Sequence, residues 1–288
     1  MPAKKIIMKK ATVQKNESVI TKLQLSLPTE KNVPSVLFDD YSTLLYGVKK
    51  IGKSSLVANF PDILQLFFEP GGKSLASFQC PVPIWEHFIG YIDLLEQQAR
   101  DGVCKFRNIA IDTGQLAYDR CLEYVCRVRG VQHPSNVDDY GATWKAVSQE
   151  FEKQHTRLFA MNLGVIVVAH SEIREIKSRS GNTFSKIVLL LGKQAIQFYA
   201  GIFDNIFFYD YDDEKRFLYL RGNDLVDAGT RCQDNFLTLN GERVERIPMG
   251  DSADEAYKNL VKAFNNKQAN PYKRKEDVEK KKKVIIKK

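Results

Sequence analysis

The chain has no run of apolar residues approaching the about 18–20 that a membrane-spanning helix needs, so no membrane partner is expected. Its five cysteines, Cys80, Cys104, Cys121, Cys126 and Cys232, include no C-x-x-C pair. Neither a zinc site nor a disulfide framework is indicated, and a reducing, cytosolic setting is expected. Cys121 and Cys126, on one expected helix, read as small apolar core residues. The four histidines, His87, His133, His155 and His170, share no ligand spacing, so a histidine-built metal centre is excluded. MPAKKIIMKK lacks an apolar segment and a small-residue cleavage site, so no secretory signal is expected. No internal repeat is visible.

The charge is unevenly spread. Residues 1–15 carry +5 and residues 267–288 carry +7; against a net charge of +8 this leaves the body, 16–266, at −4. The reading is one acidic α/β domain over 16–266, between two basic tails expected to be disordered. Such tails solubilise a protein or tether it to nucleic acid, and both readings stay open.

One stretch carries definite chemistry. In 46-YGVKKIGKSS-55, Gly47, Gly52, Lys53 and Ser54 fit G-x-x-x-x-G-K-[ST]. In such a loop backbone N–H groups wrap phosphates, the lysine reaches the β/γ oxygens and the hydroxyl faces Mg²⁺. The expected nucleotide-binding residues are Gly47, Val48, Lys49, Lys50, Ile51, Gly52, Lys53, Ser54 and Ser55, with ATP and Mg²⁺ as cofactors. The context fits: the apolar run STLLYGV (42–48) precedes the loop as a buried strand, and a helix over 53–60 follows, stopped by Pro61.

Further along, apolar strands alternate with helices. ILQLFFE ends at a Pro70-Gly71-Gly72 turn, and residues 84–100 place Trp85, Phe88, Ile89, Ile92 and Leu95 at helical spacing. FRNIAIDT is a strand, 115–130 a helix ended by Gly130, 143–161 another helix, and LGVIVVAH a strand. Continuous apolar strands alternating with helices imply a mostly parallel sheet covered on both faces. After Ile173, SKIVLLLG, NIFFYDYD, RFLYLRG and NFLTLNG read as antiparallel strands extending that sheet, with a last helix over 252–266. A β-rich start is expected before residue 42.

The strand ends supply the rest of a candidate site. Asp112 closes FRNIAIDT and, with Ser54, is the expected Mg²⁺ holder; an ordinary helix N-cap is its plainer role. The next residue is Thr113, not a glutamate, so a catalytic base must come from elsewhere, and Glu69 at the end of LQLFFE is the candidate. His170 ends LGVIVVAH, where it could sense a γ-phosphate or simply sit at the rim. The following segment, 171–186, reads as a basic loop in which Arg174, Lys177, Arg179 and Lys186 could hold DNA; a solvated hairpin is the alternative. Arg231 in AGTRCQDNF could be a finger supplied to a neighbouring copy, or a plain surface arginine.

Taken together, LLYGVKKIGKSSLVANFPDILQLFFEPGG, FRNIAIDT, VIVVAHSE and AGTR resemble the RecA-like ATPase core, and more narrowly the compact RecA-like ATPases of phages, a group associated with single-strand annealing and recombination. The resemblance covers about residues 35–250. It implies an ATPase acting on single-stranded DNA in phage recombination, replication or repair, in the host cytoplasm. It also implies a homo-oligomer with nucleotide at subunit interfaces, with Glu69 catalytic, Asp112 on Mg²⁺ and His170 as sensor. The chain departs from that pattern at Gly229 and Thr230, where a lysine often precedes the finger arginine, and in lacking aromatic-rich DNA loops. Two rivals remain: a nucleotide-switched loader or packaging accessory, and a translocating motor, for which the chain is short.

Overall fold

The structure, a computed structural model, describes residues 27–177, 181 and 183–267. The basic tail 1–15 and residues 268–288 of the second tail lie outside it. The chain divides into two compact units, Met1–Pro34 and Ser35–Lys288. Residues 27–34 of the first contain no helix or strand.

The second unit is built on one mixed sheet. Its strands are β1 (Thr43–Gly47), β2 (Ile63–Phe67), β3 (Phe78–Pro81), β4 (Asn108–Asp112), β5 (Gly164–Lys177), β6 (Thr183–Leu190), β7 (Asn205–Asp212), β8 (Lys215–Tyr219), β9 (Gly229–Thr230) and β10 (Arg246–Pro248). They lie in the order β10-β8-β7-β1-β5-β4-β2-β3, with β6 paired to β5 and β9 to β7. From β7 to β3 all pairings along this path are parallel, so the C-terminal ends of β7, β1, β5, β4 and β2 face one edge. The pairs β5–β6, β7–β8, β7–β9 and β8–β10 are antiparallel.

The helices are α1 (Lys53–Val57), α2 (Trp85–Arg100), α3 (Gly114–Arg129), α4 (Ala142–Phe159), α5 (Lys193–Ile202) and α6 (Ala253–Phe264). The period-two alternation of the strands sorts them onto two faces. Leu44, Tyr46, Ile109, Ile111, Val165 and Val167 pack with α2, α3, α4 and α5. Leu45, Ala110, Ile166, Val168, Phe207 and Leu218 pack with α1 and α6. Because both faces are covered, the central strands are mostly apolar, the buried Thr43, Gln65, Asn108 and Asp112 being exceptions.

Local signals explain the boundaries. Gly130 ends α3 in the left-handed region at φ 68°, which a residue without Cβ adopts freely. Ser252 caps α6 by accepting from the Glu255 N–H at 3.1 Å. Two expectations need correction, and four elements come unannounced. Residues 27–42 hold a 3-10 turn at Phe38–Asp40 and no strand. NFLTLNG folds into a tight turn with a single bridge, Leu237 to Arg243, because Thr238 and Gly241 close on each other within it. And β3, α5, β9 and β10 join the fold without a sequence reading that named them.

On α4, facing α2 and α5, lies a fully buried histidine. His155 Nδ1 is 2.8 Å from the Phe151 carbonyl and Nε2 is 2.8 Å from the Tyr199 hydroxyl. The carbonyl can only accept, so Nδ1 carries the proton and Nε2 accepts from the tyrosine. Burial lowers the His155 pKa to about 4, from an ordinary 6.5. The folded state thus resists a proton that the unfolded chain takes up. Stability from this group is complete above pH 6.5 and is lost as pH falls through about 4, amounting to about 3 kcal/mol. Denaturant unfolding at a series of pH values should show this acid-side slope, shallower by about one proton in His155→Gln. An unchanged slope in the variant would refute the assignment.

Candidate functional site

The phosphate-loop sequence connects β1 to α1, and three features fix its path. Gly52 sits at φ 105°, a conformation that strains any other residue. Ile51 is buried among the side chains of the α1/α6 face and Val48 packs against them, so these two anchor the loop and can offer a ligand only their backbone. At Gly47 the fold itself gives a reason for glycine, apart from any phosphate-wrapping role: a β-carbon there would come 2.0 Å from the Tyr209 carbonyl of β7. This glycine keeps two strands together.

The loop borders a cavity of about 410 Å³ lined by Lys49, Lys50, Gly52, Lys53, Ser54, Ser55, Glu69, Asp112, Val168 and His170. A volume of this order suits a nucleotide-sized ligand. The sheet register explains why distant residues meet. Gly47 pairs with His170 across β1–β5, and Asp112 pairs with Phe67 on β2 and Val168 on β5. Glu69 follows two residues beyond the end of β2. Every acidic or imidazole group expected at the site therefore stands at the C-terminal edge of the sheet.

Lys53 is not the solvent-facing group its place in the motif suggests, being 5% exposed. Its Nζ donates to the Gly47 and Val48 carbonyls at 2.9 and 2.7 Å and lies 3.4 Å from His170 Nδ1. Burial lowers its pKa to about 8, against the opposing pull of the Asp112 and Glu69 charges. His170 is pushed down to about 4 by burial and then by the Lys53 and Lys49 charges, so it is neutral at pH 7. A neutral imidazole beside a charged lysine can accept or donate one hydrogen bond from each nitrogen.

Asp112 is buried, and its pKa is raised to about 6 by burial and by the Glu69 charge, while Ser54 and Lys53 act in the other direction. Ser54 stands beside this carboxylate, yet one of its oxygens, Oδ2, is buried without a partner. A buried carboxylate oxygen with no donor is costly unless a cation or its water shell satisfies it. Ser54 and Asp112 therefore fit a hard divalent cation held largely through waters, as Mg²⁺ is.

The remaining candidates lie apart. Arg231 sits beside β9, whose Thr230 pairs with Asn205 at the start of β7, the sheet edge opposite the cavity. There it donates to the Gly201 and Ile202 carbonyls at the end of α5, at 2.6 and 3.4 Å. It cannot reach the phosphate loop of its own chain. Segment 171–186 corrects the flexible-loop expectation: residues to Lys177 and from Thr183 form the β5–β6 hairpin. Arg174 and Lys186 are paired across it on one face, and Lys177 points to the other. Arg174 is bound by Glu172, and Lys186 by Asp227 at 2.5 Å. Arg179 lies outside the described residues. One residue near the loop was not anticipated: Arg216 of β8 comes up beside Gly52. RFLYLRG reads only as a strand, and nothing in it points to the loop.

A parallel sheet with a glycine-lysine-serine loop between β1 and α1, and a buried carboxylate at a neighbouring strand end, defines a P-loop ATPase core. The family profile described as the AAA domain matches residues 39–232, about two thirds of the chain, and the protein belongs to that family. It thus carries an ATP-binding and ATP-hydrolysing domain. Among solved structures, a KaiC-like protein from the hyperthermophilic archaeon Pyrococcus horikoshii OT3 is similar at 11% identity and a TM-score of 0.41, over 75% of this chain and 88% of that one. No curated protein matches the chain in sequence. Among the described residues no helix is long and apolar enough to cross a membrane, and no cluster of three or more His, Cys, Asp or Glu side chains could hold a metal.

Proposed function

We propose that this ATPase is a nucleotide-driven switch of the loader or assembly class, in which ATP and its loss set the chain's grip on a partner. In this reading Lys53 and the loop amides hold the phosphates, and Ser54 and Asp112 hold Mg²⁺, which would neutralise charge on the β- and γ-phosphates. Glu69 takes the proton of the attacking water. His170, neutral and touching Lys53, hydrogen-bonds the γ-phosphate, and its loss on hydrolysis changes what the imidazole and the lysine share.

The observation that carries the reading is the continuity of β5. The strand that ends its buried half at Ala169 and His170 runs without a break to Lys177 as one arm of an exposed hairpin. A change at His170 is therefore transmitted through the backbone of the same strand. The hairpin suits a protein partner better than a polyanion, because Arg174 and Lys186 are already neutralised and Ile173 is 72% exposed.

Single-stranded DNA as the partner, in phage recombination or annealing, is the second reading; it draws on the basic tails, +5 and +7, rather than on the hairpin. ATPase rates with and without single-stranded DNA, across salt, separate the two. The switch predicts rates within about twofold in both cases, together with an assembly state that differs between ATP and ADP by light scattering. Stimulation of tenfold or more, fading with salt, would restore the DNA reading.

A further inference from the structure

The acidic and imidazole groups of the cavity all come from one side of β1, from β2, β4 and β5. On the other side lie β7 and then β8, and from β8 one cation turns back toward the loop. Arg216 Nη1 lies 3.5 Å from the point a β-carbon on Gly52 would occupy. Its guanidinium is held. Nε and Nη2 donate to the Gly250 carbonyl at 3.0 and 2.8 Å, and the Met249 N–H is bonded to the Arg216 carbonyl at 2.9 Å. Gly250 sits at φ 69°, a conformation that side chains strain to adopt, with the Glu255 carboxylate packed against it. No ion pair among the described residues involves Arg216.

A partly buried guanidinium, oriented by one neutral carbonyl and in no ion pair, is an anion site prepared in advance. We infer that Arg216 is a second phosphate-binding cation of this ATPase, contacting the α- or β-phosphate of the nucleotide from the β8 side. This rests on the phosphate-loop reading of the same site. Placed across β1 from Glu69, Asp112 and His170, Arg216 is remote from the end where a γ-phosphate would react. It holds ATP and ADP alike and leaves the chemical step to the other side.

The test is titration of ATP and ADP into the full chain and into Arg216→Gln and Arg216→Lys, with turnover at saturating ATP. Glutamine keeps a donor for the Gly250 carbonyl and removes the charge. It should weaken both nucleotides by about tenfold or more, the worth of one charge-assisted contact. Lysine should recover part of the loss, and kcat should stay within about twofold in both. Ser252→Ala, which loosens the same α6 junction by removing its cap, should lower Tm and leave affinity unchanged. The inference fails if Arg216→Gln binds both nucleotides within about twofold of the wild type, or if Ser252→Ala weakens binding as much. It fails equally if kcat falls at unchanged affinity. Failure of the wild-type chain to bind either nucleotide would instead overturn the loop reading, and this inference with it.

Discussion

Lys53→Ala is expected to abolish ATP binding and hydrolysis while the protein keeps its fold and loses little or nothing in Tm. The lysine stands between the loop carbonyls and the Asp112 and Glu69 charges, where it is the one buried cation lining the cavity among the described residues. Charge-assisted contacts to phosphate oxygens are worth about 1.5–3 kcal/mol each, so the loss of two weakens ATP by at least about 100-fold. The stability side of the prediction comes from the lowered pKa. A lysine held at about 8 by burial is a charge that the fold tolerates at a cost, so removing it relieves the folded state. Calorimetric titration and a thermal melt on the same sample check both halves. Hydrolysis at the wild-type rate would make the loop irrelevant to activity.

Glu69→Gln separates binding from chemistry, with ATP affinity unchanged and turnover slower by at least about 100-fold, the usual scale of a lost general base. Glu69 lines the cavity and is close enough for its charge to raise the Asp112 pKa and oppose the fall at Lys53. Glutamine preserves its shape and removes only the proton acceptor. Glu172, the other carboxylate next to His170, is a poor substitute because Arg174 already binds it. Single-turnover hydrolysis with affinity measured in parallel is the check. Equal rates in variant and wild type would end the assignment of Glu69 as base.

The parts of this site that could be read in the sequence are those whose chemistry is fixed by spacing along the chain. Gly47 to Ser55 is one continuous loop, and Asp112, Glu69 and His170 close runs of apolar residues whose parallel pairing carries their ends to one edge. What escaped depends on contacts between residues distant in sequence. Arg216 is a routine strand residue until β8 is laid beside β7 and Gly250 closes on its guanidinium. Lys53 looks exposed until the loop folds over it. The helix α5 was missed because its ten residues, KQAIQFYAGI, carry apolar side chains on most sides, and only Ala195 and Tyr199 become fully buried. β3 and β10 are short, each ends at a proline, and neither shows the alternation that marks a strand. The hairpin arms read as a loop because the charges of the first arm, at Glu172, Arg174, Glu175 and Lys177, fall on both faces and hide its β-period until Ile173 and Ile187 are found side by side.

The close approach of Gly47 to the Tyr209 carbonyl has a consequence for how variants and relatives of this protein are interpreted. Glycine at the head of a phosphate loop is ordinarily credited to the ligand, and its replacement to loss of nucleotide. Here a methyl group at that position would meet the backbone of β7 first, at 2.0 Å, and prise β7 from β1 along a pairing that runs from Thr43 to Gly47. An alanine variant would thus report a sheet forced apart, with the β8 hairpin displaced along with it. A larger residue here would therefore report first on the spacing of β1 and β7, before anything is learned about nucleotide binding.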